Sequence, residues 1–158
     1  MIVVGKPAPK LELPGDDGRL FKLIDHRGSP VVLYFYPKDD TSGCTLEAQE
    51  FTALMPDFRN SGAVVAGVSP DTVASHCKFR DKFSLGVLLL ADDDQSVCNT
   101  YGVWVEKSMY GRKYMGVERT TVLIDPKGRI TKIWNKVKAL GHAAEVLAAV
   151  LGLKTGKA

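Results

Sequence analysis

A chain of 158 residues is the length of one ordinary globular domain, so we expect a single domain over residues 1–158, with its core from about 5 to 152. Hydrophobic residues make up 45% and charged residues 25%, as in soluble globular proteins, and the net charge of +3 forms no basic run, so nucleic acid is not an expected partner. No apolar run approaches the roughly 18 residues of a membrane-spanning helix. Residues 1–5 lack the apolar region of a signal peptide, so we expect a cytoplasmic protein that does not bind membranes.

The first predicted element is a β-hairpin within residues 6–23, because Leu11 and Leu13 alternate with polar neighbours ahead of a strong turn signal at 15–18. Strands and helices then alternate, which indicates parallel strands joined by right-handed crossovers. The predicted strands are 31–35, 63–68 and 87–90, and the predicted helices are 44–58, 72–83 and a short one ending near 101.

The pattern changes after Arg119. Strands over 120–124 and 130–134 flank a hairpin signal at 125–128, a last helix spans 142–151, and residues 154–158 are expected to fray. These elements predict an α/β fold with a mixed central sheet between helix layers.

Three cysteines, Cys44, Cys77 and Cys98, are present, and no two of them form a C-x-x-C pair. This spacing argues against a structural zinc site and against a C-x-x-C dithiol. In a cytoplasmic protein these thiols are reduced by default.

Cys44 is predicted to lie where a buried strand gives way to a helix. The unpaired N–H groups and the dipole of a helix start favour the thiolate, which is the reactive form. A buried structural cysteine is the alternative, but Gly43 and the hydroxyl residues on both sides indicate a chemical role.

The residues around Cys44 resemble the active-site signature of the peroxiredoxins, Pro37-x-x-x-Thr41-x-x-Cys44. The wider run is similar to the bacterioferritin comigratory, or Q-type, branch of that family: Tyr34-Phe35-Tyr36-Pro37-Lys38-Asp39-Asp40-Thr41-x-Gly43-Cys44-Thr45-x-Glu47. The resemblance extends from about residue 5 to 151 and implies a thioredoxin-like fold. Ser42 stands where the branch usually has a second proline, which costs loop rigidity but removes no catalytic group.

The resemblance implies a thiol peroxidase that reduces hydrogen peroxide and organic hydroperoxides without metal, haem or flavin. Cys44 would attack the peroxide and become a sulfenic acid, Thr41 would bind the peroxide, and Arg119 would hold both thiolate and peroxide. Glu47 would orient the arginine, and Pro37 would shape the loop.

Each of these assignments has a plainer alternative. Thr41 would simply cap the helix, Arg119 would lie on the surface at a strand start, and Glu47 would be a solvated carboxylate in the helix. Pro37 is in any case a strand terminator.

The sequence leaves open which cysteine is the resolving thiol, the second thiol that would condense with the sulfenic acid of Cys44 to form a disulfide. Many members of the branch place it five residues after the first cysteine, where this chain has Gln49. Others place it on the next helix, and here that helix carries Cys77, about one turn before the matching position at Arg80. Cys98 lies in an apolar pattern typical of a core residue. A Cys44–Cys77 disulfide would require the helix start to unwind, since it needs a Cα spacing of roughly 4.4–6.8 Å.

With an internal resolving thiol, the expected reductant is thioredoxin. Without one, a one-cysteine cycle would use glutaredoxin or a small thiol. The branch implies a monomer. A thiol–disulfide oxidoreductase is disfavoured by the missing C-x-x-C pair, while a peroxide sensor or a chaperone without turnover would need the same reactive thiol. The three histidines, His26, His76 and His142, have no metal-ligand spacing, and we expect them to be exposed or half-buried.

Overall fold

The computed structural model describes residues 2–154, so the tail expected to fray lies almost wholly outside the described residues. In chain order the described elements are β1 Glu12–Pro14, β2 Leu20–Lys22, a 3-10 helix Leu23–His26, β3 Val31–Phe35, α1 Ser42–Asn60, β4 Val64–Ser69, α2 Val73–Phe83, β5 Leu88–Ala91, α3 Ser96–Thr100, β6 Trp104–Met109, β7 Arg112–Val117, β8 Thr120–Ile124, β9 Ile130–Trp134 and α4 His142–Lys154. Within this part of the chain, no helix has the length and apolar character needed to cross a bilayer.

Five strands form the central sheet in the order β5-β4-β3-β8-β9. β3 pairs in parallel with β4 and antiparallel with β8, while β5 extends the parallel half and β9 the antiparallel half. The sheet is therefore mixed, and β1 and β2 form a separate antiparallel hairpin, as the sequence predicted. The α/β class, the mixed sheet and the opening hairpin are confirmed.

Every residue of β3 is buried, because both faces of the sheet are covered. Val32 and Tyr34 pack into a hydrophobic cluster built with α1, α2 and α4, and Leu33 and Phe35 pack into a second cluster with the β1–β2 hairpin and α3. Alternate side chains of a strand point to opposite faces, so a continuous apolar run is the expected pattern for this position. The prediction of one domain over the whole chain stays a prediction.

The β6–β7 hairpin was not predicted. Its strands are largely exposed, and Met109 and Tyr110 at its tip are 56% and 98% exposed. A strand without a buried face has no alternation of apolar and polar residues to reveal it. The local signal was the turn Tyr110-Gly111, where both residues have positive φ angles, 52° and 77°, as a two-residue hairpin turn requires.

Gly67 on β4 lies opposite Tyr34 on β3, and a Cβ at Gly67 would be 2.6 Å from Cζ of the tyrosine ring. Because that ring is buried and stacks on Phe51 with centroids 4.5 Å apart, it has little room to move. We therefore expect Gly67→Ala to lower the free energy of unfolding by about 1–3 kcal/mol, the usual cost of overpacking a core. Urea denaturation followed by circular dichroism measures the change.

Gly86→Ala is the matched control, because a Cβ at Gly86 would make an ordinary contact at 3.5 Å with Thr52. We expect it to change stability by no more than about 0.5 kcal/mol. Equal losses in the two variants would show that the tyrosine ring does not require a glycine beneath it.

Candidate active site

Cys44 is the third residue of α1, and its side chain is 1% exposed. β3 ends at Phe35, a loop over 36–41 follows, and the helix starts at Ser42. The first N–H groups of the helix have no partner within it and point toward the start of the helix, where the dipole favours negative charge. The fold thus places the thiol at the position that the sequence predicted.

Arg119 reaches this thiol from the segment between β7 and β8. Its Nη2 donates to Sγ of Cys44 at 3.1 Å, and its Nη1 donates to Oε1 of Glu47 at 2.7 Å. The backbone of Arg119 is itself held, because its carbonyl accepts a hydrogen bond of 2.9 Å from Val137 N–H. One planar guanidinium therefore bridges the thiol and a carboxylate that lies one helical turn farther along α1.

The charges of these groups depend on each other. Burial disfavours the charged guanidinium, but the negative charges of Cys44 and Glu47 outweigh this effect and raise the pKa of Arg119. Burial raises the pKa of Glu47 to about 7, although Arg119 acts in the opposite direction. The Glu47 side chain is fully buried, and its Oε2 has no hydrogen-bond partner among the described residues. Arg119 is the cation that compensates for both acidic groups.

Gly43 allows the guanidinium to come this close. A Cβ at Gly43 would lie 3.2 Å from Nη2 of Arg119, a tighter contact than Cβ atoms usually make. A glycine beside the thiol thus has a packing reason. The sequence indicated Gly43 as a sign that Cys44 is not a structural cysteine and as a backbone N–H donor to the peroxide, but it gave no indication of this packing against Arg119.

Thr41 occupies the N-cap position of α1, but its side chain makes no capping hydrogen bond. Instead its hydroxyl donates to the carbonyl of Lys38 at 2.8 Å, so the alternative that Thr41 simply caps the helix does not fit. Thr41 is exposed, and no described residue donates to its hydroxyl oxygen, which can therefore accept a hydrogen bond. Pro37 is half-buried at the start of the loop, and Asp40 turns the chain into the helix with a φ of 60°.

Cys77 lies on α2, which packs on the same face of the sheet as α1. It is half-buried, and its Sγ donates to the carbonyl of Asp16 at 3.6 Å. Arg80 donates to the same carbonyl at 2.7 Å. Cys98 is fully buried on α3, where burial and the adjacent Asp92 carboxylate raise the pKa of its thiol far above the ordinary value, which disfavours the reactive thiolate.

Lys107, on β6, was missed by sequence reasoning. Its methylene groups pass over Gly116, where a Cβ would lie 3.3 Å from Cδ of the lysine. Burial and the positive charge of Arg119 lower the pKa of Lys107, although the charge of Cys44 opposes this shift. The β6–β7 hairpin thus adds a second cation whose charge acts on the site.

The prediction for the histidines was wrong for two of the three. His26 is half-buried as expected, but His76 and His142 are 0% and 2% exposed. Nε2 of His142 lies 2.8 Å from the Thr121 hydroxyl, and burial lowers the pKa of His142. Because neither histidine has a sequence neighbour that marks it, only the packing of α2 and α4 on the sheet reveals their burial.

Ligand atoms of Asp39, Asp71 and His76 lie within 4.8 Å of one another. These atoms already form hydrogen bonds: His76 Nδ1 with the Asp39 carboxylate, and the Asp71 carboxylate with the Asp39 N–H and the Ser69 hydroxyl. A cation would have to displace the protons of these hydrogen bonds. We assign no metal to them, and the expectation that the chemistry needs no metal or cofactor stays a prediction.

The AhpC/TSA family model matches residues 4–133 of this chain. Peroxiredoxin Bcp of Bacillus subtilis is 49% identical over 146 residues, which cover 92% of this chain and 93% of that protein. Peroxiredoxin Bcp of Escherichia coli is 39% identical over 143 residues, covering 90% of this chain and 92% of that protein.

Solved structures agree with these relatives. The Xanthomonas campestris bacterioferritin comigratory protein has a TM-score of 0.88 at 42% identity, covering 96% of this chain and 98% of that chain. A PrxQ variant from Xylella fastidiosa has a TM-score of 0.92 at 37% identity, with 98% of each chain covered. A thiol at a helix start, an arginine bonded to it and these likenesses lead to one conclusion: the chain belongs to the AhpC/TSA family, as a peroxiredoxin of the Bcp/PrxQ group, and is a thiol peroxidase.

Proposed function

We propose that Cys44 is the peroxidatic cysteine and that it reduces hydrogen peroxide and alkyl hydroperoxides. The observation that carries the proposal is the 3.1 Å contact between Nη2 of Arg119 and Sγ of Cys44 at the start of α1. A guanidinium and a helix start together stabilise a thiolate. Alkyl hydroperoxides are included because alkyl peroxide reduction is attributed to the similar Xanthomonas campestris protein.

The Thr41 hydroxyl and Arg119 would bind the peroxide. The hydrogen of the Thr41 hydroxyl is engaged by the Lys38 carbonyl, so its oxygen accepts from the terminal O–H of the peroxide, while Arg119 donates to the peroxide oxygens. The thiolate attacks the terminal oxygen, so an S–O bond forms and the O–O bond breaks. The departing alkoxide or hydroxide takes a proton from solvent, leaving a sulfenic acid on Cys44.

Glu47 and Pro37 act indirectly in this proposal. Glu47 holds Nη1 of Arg119 so that Nη2 faces the thiol, which is supported by the 2.7 Å ion pair and by the complete burial of Glu47. Pro37 restricts the loop between β3 and α1, since its ring fixes one backbone dihedral.

Cys77 is proposed as the resolving thiol. It attacks the sulfur of the sulfenic acid, so an S–S bond forms and water leaves, and a dithiol reductant such as thioredoxin then restores both thiols. Partial exposure supports Cys77, while the complete burial of Cys98 weighs against the third cysteine. Should no disulfide form, glutaredoxin or a small thiol would reduce the sulfenic acid directly.

The proposed location is the cytoplasm, because the cycle needs a supply of reduced thiols. The proposed oligomeric state is a monomer. Light scattering of the reduced protein tests the monomeric state.

We expect Arg119→Ala to slow the oxidation of Cys44 by hydrogen peroxide by roughly 100–1,000-fold, as the loss of a preorganised donor does in other enzymes. Arg119→Lys keeps the positive charge but not the two N–H donors of the planar guanidinium, so its oxidation rate should fall between those of the wild type and the alanine variant. Stopped-flow kinetics under second-order conditions measure the rate constant. Arg112→Ala, on the exposed face of β7, is the control and should leave it unchanged. A change of only a few-fold in Arg119→Ala would remove Arg119 from the chemistry.

One equivalent of hydrogen peroxide should produce a disulfide between Cys44 and Cys77, detected by intact-mass and peptide-mass analysis. In Cys77→Ser the sulfenic acid should persist, whereas Cys98→Ser should behave as the wild type because Cys98 is buried. A persistent sulfenic acid in the wild type would indicate a one-cysteine cycle. Oxidation elsewhere while Cys44 stays reduced would contradict the proposal.

The buried carboxyl of Glu47 should make stability depend on pH. Its pKa is raised from 4.5 to about 7 in the folded protein, so its favourable contribution is complete below pH 4.5 and is lost as pH rises through about 7. That loss is on the order of 3 kcal/mol. Glu47→Gln should therefore gain stability relative to the wild type over this range, measured by urea denaturation at several pH values. Glu106→Gln, at an exposed position, is the control, and parallel curves for wild type and Glu47→Gln would refute the effect.

A further inference from the structure

A buried set of hydrogen bonds joins the loop before Cys44 to helix α2. Asp39, on the loop, accepts three of them: Oδ1 from the Tyr36 hydroxyl at 2.7 Å, and Oδ2 from the Ser75 hydroxyl at 2.8 Å and from Nδ1 of His76 at 2.7 Å. The backbone N–H of Asp39 donates to Oδ2 of Asp71 at 2.9 Å, just before α2. The side chain of Asp39 is 4% exposed and that of His76 is 0% exposed, so water does not compete for these bonds.

The hydrogen-bond partners of His76 determine how many protons the pair holds. Nε2 of the ring lies 2.9 Å from the Leu90 carbonyl, which only accepts, so Nε2 carries a proton. Nδ1 lies 2.7 Å from the Asp39 carboxylate, so a proton lies between these two groups as well. The pair therefore contains one proton more than a neutral imidazole beside an ionised carboxylate. Without it, two lone pairs would face each other inside the protein.

The charges around the ring agree with this count. Asp39 and the Tyr36 hydroxyl face the ring from the loop, Asp71 acts from the segment before α2, and β5 contributes the Leu90 carbonyl. Burial disfavours the imidazolium, but the hydrogen bond and charge of Asp39, with the Leu90 carbonyl and the charge of Asp71, outweigh it and raise the pKa of His76. A buried charge is tolerated when it is paired and hydrogen-bonded, and both conditions are met here.

We propose that Asp39 and His76 are positioning residues of the peroxidase: the proton that they share holds α2 against the loop that carries Thr41, and loss of that proton releases both segments. The Asp39–His76 pair with its shared proton is called the latch below. Among the described residues, Asp39 and His76 form no hydrogen bond with Cys44, Thr41 or Arg119. The latch acts through the loop, because Asp39 is two residues before Thr41 and five before Cys44, while His76 is the immediate neighbour of Cys77. Both cysteine-bearing segments are thus held by one ion pair.

The direction of the pH effect follows from the raised pKa of His76. The stabilising contribution of the latch is complete below the ordinary histidine pKa of 6.5, and it is lost as pH rises through the raised value in the folded protein. Alkaline conditions should therefore loosen α2 selectively.

The latch also bears on the catalytic cycle, a consequence that rests on the proposed role of Cys77. A closed latch keeps the Thr41 loop in place for the reaction with peroxide, whereas the disulfide requires the two thiol-bearing segments to move together. The same proton would then favour the first step and oppose the second.

Amide hydrogen exchange on the fully reduced protein, without peroxide, tests the latch independently of Cys77 chemistry. The peptide that covers α2 is followed from pH 6.5 upward, with rates corrected for intrinsic exchange and with α4 as the internal reference. In the wild type, protection of α2 should fall as pH rises by more than that of α4, whose own fall reports the general loss of stability expected from Glu47. His76→Leu leaves Asp39 buried without its cation, so α2 should open on the order of 100-fold more often at pH 6.5.

Asp39→Asn distinguishes a proton latch from ordinary packing. An amide can donate to a neutral His76, so α2 of this variant should show no fall in protection beyond that of α4 as pH rises. Lys82→Ala is the matched control, because Lys82 also links α2 to the loop, through a 2.8 Å ion pair with Asp40, but on the exposed surface. Its exchange should stay within about twofold of the wild type.

Two results would overturn the proposal. One is α2 protection in the wild type that falls no more than that of α4 as pH rises, and the other is an Asp39→Asn variant in which α2 protection falls relative to α4 as it does in the wild type. A latch seen by exchange together with no Cys44–Cys77 disulfide would instead refute only the role given to Cys77. If both hold, disulfide formation after a peroxide pulse should be faster in His76→Leu, and oxidation of Cys44 slower, with Lys82→Ala unchanged in both.

Discussion

The site depends on one cation shared by two buried acidic groups. Arg119 donates to Cys44 and to Glu47 through separate nitrogens of one planar group, so the position of the carboxylate determines where the guanidinium meets the sulfur. A thiolate enclosed by protein would be costly without this partner. Glu47 is fully buried and its Oε2 has no hydrogen-bond partner among the described residues, so its negative charge is unfavourable there, which is consistent with the proposed role of Glu47 in orienting the arginine.

The central sheet brings the parts of this site together. In the antiparallel pairing of β3 with β8, Phe35 lies opposite Thr120, so the end of one strand meets the beginning of the other. Arg119 therefore arrives beside the loop that leads from β3 into α1. Burial of both faces of β3 makes this register strongly specified, since a slip of one residue would exchange the two hydrophobic clusters. The 3.1 Å contact between Arg119 and Cys44 therefore depends on the strand register that the core packing specifies.

The loop between β3 and α1 connects the chemistry to the fold's second helix. Asp39 lies in this loop and is nearly as buried as the core, although both of its sequence neighbours are more exposed. A buried ion pair contributes little net stability compared with apolar packing, but breaking one half of it is expensive. Such a pair suits a contact between the loop and α2 that is either fully formed or fully broken. The helix that this pair holds, α2, also carries Cys77. The position of the thiols and the protonation of the Asp39–His76 pair are therefore linked by a few adjacent residues.

The sequence by itself determined the order of the strands and helices other than β6 and β7, the mixed sheet and the place of Cys44, because these follow from local periodicity and from the apolar run before a helix start. Resemblance to a known motif added Arg119, Thr41 and Glu47 as candidates. Only the tertiary structure decided that Glu47 is buried against Arg119, that Gly43 lies under the guanidinium and that Asp39 meets His76, 37 residues later. The β6–β7 hairpin also emerged only in the structure, since it lacks a buried face. Contacts between distant residues depend on how helices pack on the sheet, and periodicity within one element contains no information about its partner in another.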